Sequence, residues 1–240
     1  MSDADLLAWA SGAVEALAYL TYIRLACRRV IDPNPVSWSM FAYGSALFVT
    51  IEHVIGASWH ALVLPAVCAL SSLVVAGLCF RRRGFRWPDS PIENAAFLAD
   101  LGITLAYGGV LLAEQAGLVA STVTEEAGRI ALSGAILTSV TAFVPLLRST
   151  FRRPSAERAM PWVMWTLSYG LLFVATVLVI DPEAQGLQLL VYPLANIVLH
   201  GAVVALVLTG RRPMAIARIV VFPDRRAGPA QSGGRVTVRA

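Results

Sequence analysis

Apolar residues run along this chain in seven long stretches separated by short polar or basic turns. They are Leu6 to Cys27, Val36 to Ala57, His60 to Phe80, Ile92 to Ala120, Ile130 to Leu147, Met160 to Ile180 and Leu187 to Leu208. A helix needs about 20 predominantly apolar residues to cross the hydrocarbon core of a bilayer, and each stretch is near that length. None has the strict alternation of a barrel strand, and within a bilayer only helices and closed barrels satisfy their own backbone polar groups. The pattern predicts an all-α transmembrane fold of seven helices.

The polar punctuation between the stretches repeats. Arg24, Arg28, Arg29 and Trp38, in the segment Thr21 to Gly44, recur as Arg148, Arg152, Arg153 and Trp162 in Pro145 to Gly170, each 124 residues on. Tyr43-Gly44 recurs as Tyr169-Gly170 at an offset of 126, and Pro65 recurs as Pro193 at 128. The stretch that holds the proline ends in Arg81-Arg82-Arg83 in the first copy and in Arg211-Arg212 in the second. A drift of this kind is what small loop insertions produce, so the chain reads as a duplicated three-helix unit. Helix 4 has no counterpart. As a single linker it inserts both copies in the same orientation, a 3+1+3 arrangement about an axis along the membrane normal. The division reads as 1–80 for the first repeat, 81–127 for a basic loop and the linker helix, 128–210 for the second repeat and 211–240 for a tail. The tail is basic and rich in Gly and Pro, which predicts disorder, and its opening segment Arg211 to Phe222 suits the bilayer surface.

Charge sharpens this picture rather than changing it. Of the residues, 57% are hydrophobic and 14% charged, with a mean hydropathy of +0.68, which is the composition of a polytopic membrane protein. The net charge of +4 is not a nucleic-acid signature, because eighteen of the nineteen arginines lie on one set of turns and in the tail, and only Arg129 lies on the other side. By the positive-inside rule the N-terminus is outside and the C-terminus inside, as an odd number of spans requires. The leading segment MSDAD is acidic where a secretory signal is basic, so helix 1 reads as retained. Cys27, Cys68 and Cys79 lie in or at the ends of helices, which argues against a disulfide framework or a zinc site.

A charged side chain inside a bilayer costs at least about 2.5 kcal/mol and calls for a reason. Glu15 and Asp100 stand near the middle of helices 1 and 4, and Asn196 and His200 lie four apart on one face of helix 7. These four are the candidates for solute binding and coupling, with Glu15 the candidate for proton exchange. Each also has a bland reading, as a core polar group bonded to a neighbouring helix. Glu52, His53 and Glu114, near helix ends, read as solvated or gate residues before ligands. Trp38 and Trp162 are gate candidates whose bland reading is an aromatic belt. Tyr43 and Tyr169 sit deeper, and equivalent places in two copies would let them face each other as a gate. Pro65 and Pro193 are candidate hinges or packing kinks.

The 3+1+3 plan, with a basic turn before a Trp-bearing helix in each half, resembles the PQ-loop superfamily that includes the SWEET transporters. The similarity covers most of Ala8 to Arg212. It is nearest to bacterial members in which a Pro-Asn-Pro or Pro-Ser turn precedes Ser-Trp or Pro-Trp, here Pro33-Asn34-Pro35-Val36-Ser37-Trp38 and Pro161-Trp162. At the place of the namesake dipeptide stand Pro145-Leu146 in the second copy and Thr21-Tyr22 in the first. In SWEET-like proteins an Asn on the last helix of a repeat helps line the central site. Asn196 is similar in place, and Cys68 occupies the matching position of the first copy.

Three classes of function remain open. The duplicated unit and the mid-depth polar residues, together with the resemblance, point to a small-solute carrier working by alternating access on a small polar or amphipathic solute. Glu15 makes protons a candidate coupling ion, and the expected location is the bacterial inner membrane. A membrane-embedded enzyme acting on a lipid or isoprenoid, with Glu15 or Asp100 as proton donor, is the second class. A sensor or accessory protein with a docking tail is the third. The chain has no lysine, which excludes a retinal Schiff base, and it has no HExxH, CxxC or Gly-rich phosphate motif. No cofactor or metal is implied, and a homo-oligomer is compatible with the sequence.

Overall fold

Seven α-helices and a single 3-10 turn make up the regular structure of the described residues, with no strand among them. The computed structural model describes residues 2–84, 87–88, 90–180 and 188–210. The expected loop from Asp181 to Gly186, part of the basic loop after Arg83, and the expected tail with its membrane-surface segment lie outside the described residues. The helices are α1 (Asp3–Cys27), α2 (Pro35–Val54), α3 (Trp59–Arg83), α4 (Pro91–Gln115), α5 (Ser121–Arg152), α6 (Ala159–Val179) and α7 (Gln188–Thr209).

Local chemistry sets the helix ends. Ser2 and Asp5 form a reciprocal capping box at the start of α1. The Pro-Asn-Pro turn works as a helix start: the Asn34 side chain accepts from the Val36 and Ser37 amides at 3.0 and 3.3 Å, while Pro35 fills the first helical position. Asn34 Nδ2 also donates to the Pro145 carbonyl at 3.3 Å, fixing the start of α2 against α5. The fourth apolar stretch was expected to continue to Ala120 but ends earlier. Gly117 takes φ 70° and closes α4 with amide bonds from Gly117 to Glu114 and from Leu118 to Ala113.

Two other expectations change. Helix 5 begins at Ser121 rather than Ile130, so the boundary placed at 127/128 falls inside it. At 32 residues it is about 48 Å long, more than a bilayer core. Its first turns therefore carry exposed Glu125 and Glu126 instead of apolar side chains, which is why hydropathy alone missed them.

Six of the seven helices are long and apolar enough to cross a bilayer, and the chain is an integral membrane protein. The exception is α2, which holds Ser37, Ser39, Ser45, Thr50, Glu52 and His53. It packs on α3, α4 and α5 and buries half its length, so protein rather than lipid surrounds much of it. Leu20, Leu70, Leu105, Leu137 and Leu208 of other helices are largely exposed, as lipid-facing positions are. Helix α4 shows the inverse pattern most clearly, since its buried residues are Glu93, Ala96, Asp100 and Tyr107. Those polar groups face α5: Glu93 pairs with Arg148 at 3.5 Å, and the Thr138 hydroxyl donates to Asp100.

Helix α1 packs on α3 and α6, α2 on α3 and α5, α7 on α5 and α6, and α3 also touches α6. The side chains between them form two main apolar clusters. One surrounds Tyr22, Trp38, Trp162 and Trp165 toward the arginine-rich end, and the other surrounds Phe48, Leu64, Leu132 and Tyr192 toward the opposite end.

Candidate functional site

Between the two clusters lies a narrow cavity of about 30 Å³, room for one or two water molecules. Its walls come from α1, α2, α3, α5, α6 and α7, and most of the side chains in them are aromatic. Trp165 is the centre of one wall, with Tyr19, Trp162 and Trp38 rings at 5.0, 4.7 and 6.0 Å from it in tilted or edge contacts. At the other end Phe48 stacks on Tyr192 at 3.9 Å.

Into these walls the helices set a few polar groups. Cys68 is a hub, with its Sγ 3.2 Å from both the Tyr19 and Ser45 hydroxyls and 3.9 Å from that of Tyr169. Tyr19 bonds Ser72 at 2.7 Å and Tyr169 bonds Tyr192 at 3.2 Å. Across the cavity, Asn196 Nδ2 donates to the Tyr192 carbonyl at 3.0 Å, and His200 Nδ1 lies 2.8 Å from the Asn196 carbonyl. A carbonyl only accepts, so Nδ1 carries the hydrogen and Nε2 of the neutral ring is left as an acceptor. The indole N–H of Trp165 is buried with no partner among the described residues. The site therefore has an unused donor and an unused acceptor on rings whose centroids are 5.8 Å apart.

The expected site residues divide. Asn196, His200, Trp38, Trp162 and Tyr169 line the cavity. Glu15 does not: it stands behind the wall on α1, where it accepts from the Ser168 hydroxyl of α6 at 2.5 Å. Asp100 is turned to Thr138 and lies beside Gly44, also outside the lining. Tyr43 and Tyr169 do not face each other. Tyr43 is half-buried, bonds Thr104 of α4 at 2.5 Å and packs near Phe97, while Gly44 and Ser45 take the cavity side of α2. Pro65 and Pro193 are buried in α3 and α7, which continue as α-helix through both. Glu52 is only 2% exposed, so it is not the solvated end residue expected, and its Oε2 has no partner among the described residues. His53 is exposed.

Sequence reasoning passed over a second constellation, at the arginine-rich end of the cavity. Glu157, in the turn after the 3-10 segment Pro154–Ala156, is 2% exposed. It accepts from the Tyr22 hydroxyl at 3.0 Å and from the Trp162 indole at 3.1 Å, and the Trp38 indole donates to Tyr22 at 3.2 Å. Burial pushes the Glu157 carboxyl up to about 8, with the Trp162 and Tyr22 donors pulling the other way. Around it the turns are tied together: the Asp32 amide donates to the Ala156 carbonyl at 2.9 Å, and the Asp32 carboxylate pairs with Arg83 and, at 3.5 Å, with Arg153. A lone Glu in Arg-Arg-Pro-Ser-Ala-Glu-Arg reads as a solvated loop charge. The one available signal was its place five residues before Trp162.

Comparison of the chain with protein-family models, with curated proteins and with solved structures gives no match in any of the three.

Proposed function

We propose that this protein is a small-solute membrane carrier of the PQ-loop/SWEET-like type, working by alternating access about the central cavity. The observation that carries the reading is the cavity itself: an aromatic chamber walled by helices from both ends of the chain, holding a free indole donor, an amide and an imidazole. Among the described residues no charged side chain lines it. In a low-dielectric chamber an ionic solute would need a counter-charge, so an uncharged polar or amphipathic solute fits best. The present volume admits nothing larger than water, so in this reading the chamber must widen to admit a solute.

The packing scheme supports the 3+1+3 arrangement. Helix α3 lies between α1 and α2, and α7 lies between α5 and α6; α1 packs on α6 as α5 packs on α2. Exchanging the two sets of three helices maps these contacts onto themselves, the expected result of a parallel repeat. Helix α4 packs mainly on α5, as a linker would. Within this reading the arginine-rich turns are on the inner side, Pro65 and Pro193 are the hinge positions, and Trp38 and Trp162 form the inner gate. The reading as a membrane enzyme has less support, because neither of its proposed acids, Glu15 and Asp100, reaches the cavity.

The test is uptake by proteoliposomes of a panel of sugars, neutral amino acids and other small polar solutes, with and without a pH gradient. Uptake of a member of the panel that falls at least tenfold in Trp165→Phe, which keeps the ring but loses the indole N–H, is expected. Turnover of an isoprenoid with no uptake of any solute would reject the carrier.

A further inference from the structure

We propose that Glu157 is a proton-binding site whose occupancy holds shut the arginine-rich end of the cavity. Its place in a transport cycle rests on the carrier reading above; the proton site itself does not. The geometry comes first. One carboxyl gathers side chains from three helices, because Tyr22 of α1 and Trp162 of α6 bond it directly and Trp38 of α2 bonds Tyr22. Trp38 and Trp162 are cavity walls, so the group that holds them in place controls that end of the chamber.

The chain of bonds has one polarity. An indole N–H only donates, so hydrogen runs from Trp38 to Tyr22 to Glu157, and from Trp162 to Glu157. Every donor is neutral. Among the described residues no ion pair reaches Glu157, although arginines crowd this end. The guanidinium of neighbouring Arg158 lies 3.5 and 3.4 Å from the Ser155 and Glu157 carbonyls, while Arg83 and Arg153 pair with Asp32. The groups that face Glu157 are thus Tyr22 of α1, Asp32 of the first turn, Cys79 of α3 with Arg82 and Arg83 beyond it, and Arg158 of its own turn. His200 of α7 packs against the Trp162 ring that bonds Glu157, the two ring centroids 5.5 Å apart. Asp32 opposes ionisation of Glu157 rather than favouring it.

A carboxyl so placed has a direction of linkage. Shut in, Glu157 titrates at about 8; opened to water, it returns to the ordinary range near 4.3. Between those values the closed end holds a proton and the open end does not, so opening releases a proton on the arginine-rich side and acidification of that side favours closure. This differs from the sequence expectation, which assigned proton exchange to Glu15. Nor is the device a by-product of duplication. The positions 124 residues before Glu157 and after Tyr22 are Pro33 and Leu146, which can neither titrate nor bond.

The experiment uses the full chain in lipid nanodiscs, with tryptophan emission followed from pH 5 to 9. Trp38, Trp162 and Trp165 surround the site, so the wild type should show a single transition centred within about a unit of pH 8. Glu157→Gln should hold its low-pH emission throughout, and Glu15→Gln and Glu52→Gln should keep the transition. A transition that survives in Glu157→Gln, or none in the wild type, overturns the proposal. Should Glu157→Gln not fold, Glu157→Asp serves instead: its shorter arm must let go of one donor and admit water, moving the midpoint down by a unit or more, and an unmoved midpoint overturns the proposal equally. Solute uptake without the transition would reject the proton site alone. The transition without uptake of any solute would reject the carrier alone.

Discussion

In α1 the buried positions include Ala8, Ser11, Gly12, Ala18, Tyr19, Tyr22 and Ala26; moved along by 124, they become Leu132, Ala135, Ile136, Ala142, Phe143, Leu146 and Thr150, all buried in α5. Helices α2 and α6 keep that shift, with Trp38 and Trp162, Ser45 and Tyr169, Phe48 and Leu172, and Glu52 and Thr176 all buried. Between α3 and α7 the shift is 128, and it relates Leu64 to Tyr192, Cys68 to Asn196, Ser72 to His200 and Val75 to Val203. The two regions therefore bury the same faces and fill them with different chemistry. The cavity lining takes hydroxyls and a thiol from Tyr19, Ser45 and Cys68, with Ser72 bonded behind Tyr19, and takes Tyr169, Tyr192, Asn196 and His200 from α6 and α7. Burial phase sets the packing frame, which tolerates substitution of one apolar shape by another. Under the proposed repeat and carrier reading, hydrogen-bonding groups would set selectivity, and those differ between the two regions.

The largest expected effect tests the shared frame. Trp38 and Trp162 are 2% and 1% exposed, so Trp38→Ala and Trp162→Ala should each cost about 3 to 5 kcal/mol. Denaturant unfolding in detergent measures both. Comparable losses fit a common frame; a near-silent replacement at either position would break it.

Next in size is a pH effect confined to the second region. The folded carboxyl of Glu157 sits at about 8, above its value in an unfolded chain near 4.3, so the folded state binds the extra proton. Its stabilising effect is complete below about pH 4 and is lost as pH rises through 8, a change on the order of a few kcal/mol. Unfolding measured at pH 5 and at pH 9 should show the wild type weaker at the higher value, and Glu157→Gln should lose less stability between the two. Equal slopes in the two proteins would remove this asymmetry from the comparison.

Much of this was legible in the sequence, and the rest was hidden for identifiable reasons. Apolar length gave the helices, and the spacing of Asn196 and His200 placed both on one face, where the cavity is. Depth, however, is only one coordinate of a membrane helix. Glu15 and Asp100 were judged by depth, whereas the direction in which a side chain points decides its role, and that depends on which helix is next door. Glu15 meets Ser168 and Asp100 meets Thr138, pairs separated too far along the chain for any local pattern to reveal. Glu157 was hidden by its surroundings, since a basic turn predicts a solvated acid and only the fold brings Tyr22 over it. The start of α5 was lost because its first turns are exposed and polar.

A subtler contrast lies between Cys68 and Asn196. Under the proposed repeat they are equivalent, yet only Asn196 brings an amide to the cavity. Asn196→Cys would make the two walls alike. It should reduce uptake of the transported solute by about ten- to a hundredfold, the loss of one good buried hydrogen bond or two, with unfolding little changed. Cys68→Ser keeps a small hydroxyl within reach of Tyr19 and Ser45 and should alter uptake less than about threefold. The reverse ranking would mean that the thiol wall, not the amide wall, selects the solute.

The smallest effect concerns the tyrosine pair. An offset of 126 would make Tyr43 the counterpart of Tyr169, but α2 and α6 are unbroken helices whose buried positions agree at 124, and a continuous helix cannot change its offset part-way. At 124 the counterpart of Tyr169 is Ser45, and both line the cavity. Tyr43 points instead to α4, where its hydroxyl bonds Thr104 on a half-buried surface. Tyr43→Phe loses that single bond, about 0.5 to 1.5 kcal/mol, and should leave uptake unchanged because nothing in the chamber moves. Tyr169→Phe removes a hydroxyl shared by Cys68 and Tyr192 and should lower uptake severalfold for a similar cost in stability. Measured side by side, the two variants separate the registers: an uptake defect in Tyr43→Phe equal to that in Tyr169→Phe would restore the offset of 126 and the pairing of these tyrosines as a gate.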